Sequence, residues 1–348
     1  MDYAIILAGG KGTRFWPLSR KATPKQFLRI LGKDTFFEAT LRRAKQIIPL
    51  KNIFIITNQA YLKEIKEQSR QFGISCENII LEPTSLNTLP AISLCTKIIS
   101  LKDNYANLLV FPSDHYIKDP LKFKQAMLKA LRLSLEGFIC LIGIKPHTPH
   151  SGYGYIKAGK IITKDAFHIH SFIEKPAPLI AKSLFRRKGI FWNAGIFCFQ
   201  AKTLFQELSK NCPALYRQIS RIEKAKDIKN IWKKIKPVSI DYGLLEHSRK
   251  LAMVEALVYW RDLGSWEALC EVLSKDKYGN AIVPDCEHLG SSNIFVYKHK
   301  ASRLIATIGL KDTIIIDTPD ALLVAKKKNA DQIKHLVGIL EQKRRKCV

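Results

Sequence analysis

Apolar runs and helical patterns alternate through the first 144 residues of the chain. The runs at 4–8, 53–57, 78–81, 108–112 and 138–143 have the length and composition of buried strands, and longer segments of helical pattern separate them. Such βαβα alternation predicts a mainly parallel sheet with helices on both faces. One helix can be read in detail: Thr35 and, three residues later, Glu38 form a capping box, and Phe37, Leu41, Ala44 and Ile48 fall on a single face that should lie on the sheet.

Beyond residue 145 the pattern loosens. Short strands are expected at 153–157, 168–173 and 196–199, and helices near 177–187, 213–234 and 241–249. These complete the same α/β domain, placed at residues 1–278. From about residue 280 the pattern changes to short β runs at 293–297, 304–308, 313–317 and 322–325, then a basic terminal helix, so 279–348 reads as a small β-rich segment plus helix. No low-complexity tract or sequence repeat interrupts either part.

Composition narrows the classes. The 348 residues are 47% hydrophobic, and none of the apolar runs reaches the ~20 residues of a membrane helix. The first residues lack a basic leader and a long apolar core, so export is not expected. The eight cysteines are scattered, without a Cys-x-x-Cys pair, and read as reduced thiols of a cytoplasmic protein. A net charge of +27 invites a nucleic-acid reading. Yet the lysines and arginines run along the whole chain, apart from the tail Lys343 to Lys346, and are not interleaved with aromatics, so neither nucleic acid nor membrane is expected as a partner.

The first strand runs into Ala8-Gly9-Gly10-Lys11-Gly12-Thr13-Arg14. Glycines at this spacing let the backbone approach a ligand closely and turn its N–H groups toward phosphate oxygens. The loop is neither a Gly-Lys-Ser/Thr phosphate loop nor a G-x-G-x-x-G dinucleotide loop. Arg14 and, in Pro24-Lys25-Gln26-Phe27, Lys25 add two fixed cations, which suit a triphosphate whose α-phosphorus must be made electrophilic as pyrophosphate leaves.

The full string GGKGTRFWPLSRKATPKQF resembles the signature of the sugar nucleotidyltransferases, and its WPLSR and PKQF parts resemble the mannose-1-phosphate guanylyltransferase branch. Glu82-Pro83 and Asn87-Thr88-Leu89-Pro90-Ala91-Ile92 resemble that branch's base-recognition segment. Leu86 stands where a cation is usual and Leu89 where Ala is usual, and both are expected to soften guanine discrimination. Phe111-Pro112-Ser113-Asp114-His115 follows an apolar strand, placing Asp114 where open α/β sheets expose functional groups. Trp260-Arg261-Asp262-Leu263-Gly264-Ser265-Trp266 supplies a second carboxylate. The sugar side resembles the family in Ser151-Gly152-Tyr153-Gly154-Tyr155-Ile156, Phe172-Ile173-Glu174-Lys175-Pro176, Trp192-Asn193-Ala194-Gly195 and Ser239-Ile240-Asp241-Tyr242. The likeness extends to about residue 325.

The resemblance implies a Rossmann-like doubly wound, mainly parallel but mixed sheet. It implies Leu7, Gly9, Gly10, Gly12, Thr13, Arg14, Lys25, Glu82, Asn87, Thr88 and Asp114 at the nucleotide, and Gly154, Glu174, Lys175, Asn193 and Asp241 at the sugar phosphate. Arg14, Lys25, Asp114 and Asp262 would be catalytic, with Asp114 and Asp262 holding Mg2+ or another divalent cation. Asp241 reads equally well as a helix cap, and His115 as a structural hydrogen-bond partner. GTP and mannose 1-phosphate would be the substrates, GDP-mannose and pyrophosphate the products, and a homodimer is an open option. Some relatives carry a further isomerase domain, for which this chain leaves no room, so one activity is expected. The alternatives are a thymidylyl- or uridylyltransferase for a related hexose 1-phosphate, and a non-catalytic regulatory subunit that binds GDP-mannose. The presence of Arg14, Lys25, Asp114, Lys175 and Asp262 speaks against the last.

Overall fold

The computed structural model describes residues 1–10, 12–283, 286–299, 303–343 and 345. The chain divides into two compact units: Met1–Gly9 with Glu38–Trp260, and Gly10–Phe37 with Arg261–Val348.

The first unit is built on a nine-stranded sheet. Its strands are β1 (Asp2–Leu7), β2 (Ile53–Asn58), β3 (Ile79–Glu82), β4 (Asn107–Pro112), β6 (Ile139–Ile144), β7 (Tyr155–Thr163), β8 (Ala166–Ile173), β9 (Ile190–Gln200) and β10 (Leu251–Glu255), with the short β5 (His115–Ile117) outside it. Their order is β3-β2-β1-β4-β9-β6-β10-β8-β7. The β1–β4 group is parallel, as the βαβα pattern requires. The long strand β9 enters antiparallel between β4 and β6, and β8 and β7 continue antiparallel beyond β10, so the sheet is mixed.

Helices cover both faces. Tyr3, Ile5, Leu108 and Val110 share a buried cluster with Ile92 of α3 (Thr88–Ser100), Leu204 of α6 (Ala201–Asn211), Leu215 of α7 (Pro213–Ser220) and Trp232 of α8 (Ala225–Trp232). On the opposite face Phe111 packs on Phe123 of α4 (Pro120–Leu135), ring centroids 6.1 Å apart. Leu41 and Ala44 of α1 (Phe36–Ala44) and Ile48 beyond it are buried, as their spacing predicts. The helices α2 (Leu62–Arg70) and α5 (Pro178–Phe185) complete the unit.

Three expectations change. The helix at 213–234 is two helices, because the Asp227 carboxylate accepts the Lys224 N–H at 2.9 Å and starts α8 afresh. The helix at 241–249 is one wide turn, Asp241–Leu245. The helix α6 and the interior strand β10 were not anticipated; β10 is only the five residues LAMVE, too short to show a period.

The second unit contains single turns at Thr13–Phe15 and Lys25–Phe27, then β11 (Trp260–Asp262, from Arg261), α9 (Trp266–Val272) and a coil of short strands. These are β12 (Ala281–Val283), β13 (Cys286–Leu289), β14 (Phe295–Lys298), β15 (Ile305–Ile308), β16 (Thr313–Asp317) and β17 (Leu322–Lys326), followed by α10 (Ile333–Gln342). Parallel ladders β12-β14-β16 and β13-β15 alternate along the chain, and β17 closes antiparallel on β16. Between them Ile294, Val296 and Ile315 are buried with Ile282, Cys286, Ile305 and Leu310 packed around. The terminal basic charge follows α10 rather than lying on it, and Arg344 and Lys346 of that tail lie outside the described residues.

Candidate active site

Topology brings the sequence motifs of the first unit to one edge of its sheet. The parallel strands end together, Leu7 opposite Ile56 and Pro112, and Asn58 opposite Glu82. Because β9 runs the other way, its beginning reaches the same edge, with Asn193 opposite Gly143 and Trp192 opposite Ile144. Gly9, Glu82, Asp114 and Asn193 therefore all lie at the carboxyl edge of the parallel strands, where open α/β sheets bind ligands.

A Cβ at position 9 would stand 2.5 Å from Glu82 Oε1, so any side chain there would displace that carboxylate. The Gly9 carbonyl receives Asn58 Nδ2 at 3.3 Å and the Ser85 hydroxyl at 3.3 Å, and that hydroxyl also lies 2.9 Å from Glu82 Oε1. Neither Asn58 nor Ser85 was singled out from the sequence, where both are ordinary loop residues. The Glu82 side chain is buried and its Oε2 has no hydrogen-bond partner. Burial pushes its pKa up to about 7, against the pull of the Ser85 hydroxyl and the Leu86 N–H.

The neighbouring base segment is more structural than its resemblance implies. Asn87, at φ 73°, caps α3 by accepting the Thr88 N–H at 2.9 Å, while the Thr88 hydroxyl accepts the Ile240 N–H at 2.9 Å. Leu89 is completely buried in the core cluster and Leu86 packs on it, so neither of these substitutions lies free in a base pocket.

A second group of residues surrounds Asn193. A bulge in β9 follows it, with Gly195 at φ 66° and its N–H donating to Asn193 Oδ1 at 3.0 Å, which turns the amide out of the ladder. Asn193 Nδ2 donates to Asp241 Oδ1 at 3.3 Å, and Lys175 Nζ lies 2.8 Å from Glu174 Oε1. A Cβ at Gly154 would stand 2.5 Å from Glu174 Oε2. Burial, then repulsion from Glu174, push the Asp241 carboxyl up to about 6 despite nearby Lys175. Burial works against the Lys175 charge, but Glu174 and Asp241 outweigh it and raise its pKa. All five residues assigned to the sugar phosphate thus converge. His115, by contrast, is buried under Trp260, whose Nε1 donates to His115 Nδ1 at 3.3 Å.

In the second unit Gly12, at φ 59°, faces Lys25: a Cβ would meet Lys25 Cβ and N at 2.6 Å. Gln26, also missed, donates to the Gly10 carbonyl at 3.0 Å and ties the loop down. Lys25 is buried, with Nζ 5.4 Å and 6.0 Å from the ring centroids of Phe15 and Phe36 and 3.7 Å from Asp262 Oδ1. Arg14 is exposed, and its Nη1 points toward the Gly264 carbonyl at 3.5 Å. Lys11 lies outside the described residues. This unit therefore holds the glycine loop from Gly10 onward, both predicted catalytic cations and one predicted metal carboxylate.

A mixed α/β sheet with its polar motifs gathered at the carboxyl edge of the parallel strands fits the nucleotidyl transferase class. A model of the family described as nucleotidyl transferase matches residues 3–278, and one described as a MannoseP isomerase/GMP-like beta-helix domain matches residues 288–340. The chain is 34% identical to a mannose-1-phosphate guanylyltransferase of Salmonella muenchen, covering 98% of this chain and 74% of that one. It is 32% identical to a mannose-1-phosphate guanylyltransferase of Escherichia coli, covering 98% and 76%. A solved structure from Thermus thermophilus, named mannose-1-phosphate geranyltransferase, superposes with a TM-score of 0.90 at 30% identity over 98% of this chain and 99% of its own. The chain belongs to the nucleotidyl transferase family, in the branch of the mannose-1-phosphate guanylyltransferases.

Proposed function

We propose that this chain transfers GMP from GTP to mannose 1-phosphate, giving GDP-mannose and pyrophosphate. The observation that carries the choice of base is Glu82, a buried carboxylate beside the phosphate loop with an unpartnered oxygen. Guanine is the base that presents two adjacent donors, N1–H and the 2-amino group, which an ionised carboxylate accepts together; adenine, uracil and thymine offer it only one such donor.

The sugar phosphate is an anion at neutral pH and needs no general base. One of its phosphate oxygens attacks the α-phosphorus, and the bond to the β-phosphate breaks as pyrophosphate leaves. Lys175 holds the incoming phosphate, Glu174, Asn193 and Asp241 orient the sugar hydroxyls, and Arg14 and Lys25 neutralise charge on the nucleotide. Asp114 and Asp262, both partly exposed and offering only oxygen donors, would hold a divalent cation, of which Mg2+ suits best. Bound there it would stabilise the departing pyrophosphate.

We further propose that the reaction runs in the cytoplasm, a reading supported by the free cysteines at the described positions; no helix among the described residues is long and apolar enough to cross a membrane. A homodimer is supported by exposed Leu289 and Ile308, register neighbours on β13 and β15; light scattering giving twice the chain mass is the expected result. The direct test is pyrophosphate release measured across four nucleoside triphosphates and three hexose 1-phosphates. GTP with mannose 1-phosphate should give the highest kcat/KM, and a preference for dTTP or UTP would overturn the base assignment.

A further inference from the structure

The segment after the glycine loop, Trp16-Pro17-Leu18-Ser19-Arg20, is buried at Trp16, Pro17 and Ser19, yet it is not part of any strand or helix. Its backbone turns on Phe15, whose carbonyl accepts the N–H groups of Leu18 at 2.8 Å and Ser19 at 2.9 Å. It closes at Arg20, which exchanges backbone hydrogen bonds with Thr23 at 2.9 and 3.1 Å. Arg14 lies in the single turn Thr13–Phe15 immediately before it, and the hydrogen bonds to the Phe15 carbonyl join that turn to this segment.

The guanidinium of Arg20 folds back over its own turn. Nη1 donates to the Pro17 carbonyl and, at 3.2 Å, to the Ser19 carbonyl, and the group lies 5.9 Å from the Trp16 ring centroid. Nη2 donates at 2.8 Å to Asp320 Oδ1, in the connection between β16 and β17. Asp320 sits in a turn closed by the Thr318 N–H donating to the Ala321 carbonyl at 2.9 Å, and the Thr318 hydroxyl lies 3.0 Å from the same Asp320 oxygen and 2.8 Å from the Ala321 carbonyl. A residue three hundred positions away thus aims the arginine that shapes the turn.

We infer that Asp320 is a positioning residue for nucleotidyl transfer: it orients Arg20, and through the turn at residues 16–20 it holds Arg14 at its working place. The inference rests on the proposed transfer reaction for the role of Arg14. Asp320 is not there for stability. Its side chain is 53% exposed, and pairs of that kind contribute at most about 1 kcal/mol. What a planar, forked guanidinium gains from a fixed carboxylate is direction. Misplacing a charge-stabilising group by about 1 Å is enough to cost up to about 100-fold in rate.

The test compares Asp320→Ala, Asp320→Glu, Arg20→Ala and the Asp320→Ala/Arg20→Ala double variant. Lys21→Ala serves as a control that breaks a neighbouring exposed pair, Lys21 with Glu341 at 3.1 Å. Asp320→Ala should lower kcat by about 10-fold or more while leaving the KM for mannose 1-phosphate within about 2-fold. Its melting temperature should stay within a few degrees of wild type. Asp320→Glu should restore much of the rate, the double variant should be no slower than the slower single variant, and Lys21→Ala should match wild type. In the unliganded protein, amide exchange over residues 14–20 should rise in Asp320→Ala and not in Lys21→Ala. A folded Asp320→Ala with wild-type kcat, or with unchanged exchange over those residues, overturns the inference. So does a rate loss matched by a large drop in melting temperature. Should wild type fail to release pyrophosphate from any substrate pair, the functional reading fails, and the exchange comparison still decides whether Asp320 orders the turn.

Discussion

In the proposed function Glu82 would couple base choice to pH. Its carboxyl, ordinarily near 4.5, is pushed to about 7 by burial. A raised carboxyl binds an extra proton in the folded state between those values, so the stability it contributes is fully present below about 4.5 and is lost as pH rises through about 7. Glu82→Gln, neutral at every pH, should therefore melt higher than wild type at pH 8, by an increment approaching about 3 kcal/mol, and gain nothing near pH 4.5. The same substitution should cut kcat/KM for GTP by about 100-fold or more, because one acceptor facing guanine becomes a donor. Wild-type kcat/KM for GTP should rise with pH through about 7. Thermal unfolding at the two pH values and initial rates decide all three, and a variant no more stable than wild type at pH 8 would disprove the buried-charge account. Lys175 makes a different claim. It lies 2.8 Å from Glu174, and in the proposed reaction it takes the incoming phosphate rather than the nucleotide. Lys175→Ala should raise the KM for mannose 1-phosphate by at least about 10-fold and the KM for GTP by much less, and equal rises in both would remove its assigned role.

Among elements, the glycine loop and the turn at Lys25–Phe27 are shaped to each other. Gly12 combines a left-handed backbone with a Cβ position already filled by Lys25, so Gly12→Ala strains the backbone by about 1–3 kcal/mol and displaces a buried cation as well. The expected result is a folded but destabilised protein with kcat lowered by at least about 10-fold; Gly10→Ala, where a Cβ meets nothing within 4 Å, should be mild. This pairing was half legible. The glycines and Lys25 stand in the sequence, but their contact does not, since it depends on Gln26 reaching back to the Gly10 carbonyl. The parallel strands were legible because burial on both faces writes itself as an apolar run, as at 108–112. The break between α7 and α8 was not, because Leu215, Ile219, Ile222, Ile228 and Trp232 keep burying apolar groups across it and only the Asp227 cap marks the restart. Leu89 misled in the opposite direction. A motif position was read as base-facing, whereas its side chain completes the core beneath the helix that the motif opens.

At the scale of the whole molecule, sequence families and space divide the chain differently. The nucleotidyl transferase match ends at residue 278 and the beta-helix match begins at 288, yet Gly10–Phe37, which includes the glycine loop from Gly10 onward, forms one compact unit with Arg261–Val348. Trp266 shows why. It is fully buried, its ring centroid lies 4.8 Å from that of Phe15, 5.6 Å from Phe295 and 6.4 Å from Tyr297, and its Nε1 donates to the Trp16 carbonyl at 3.1 Å. The helix α10 packs on the turn Thr13–Phe15 that carries Arg14, and Asp320 holds Arg20. A chain ended at Tyr278 would keep every residue assigned to substrate or metal, and the contacts of Trp266 with Phe15 and Trp16, but would lose Phe295, Tyr297, α10 and Asp320. Trp266 would be uncovered on the side of Phe295 and Tyr297 and the turn Thr13–Phe15 on the side of α10, and each buried aromatic side chain of that size is worth up to about 1.5–3 kcal/mol. That sum is comparable with the net stability of a typical domain. The 1–278 chain is therefore expected to be poorly soluble and, where soluble, to release pyrophosphate at less than about 1% of the full-length rate, because a mobile loop cannot present Arg14 and Lys25 to the triphosphate. Soluble yield, a melting curve and the pyrophosphate assay on the shortened chain provide the measurement. Full-length kcat from residues 1–278 alone would mean that the β coil is an appendage and that the loop holds its own shape.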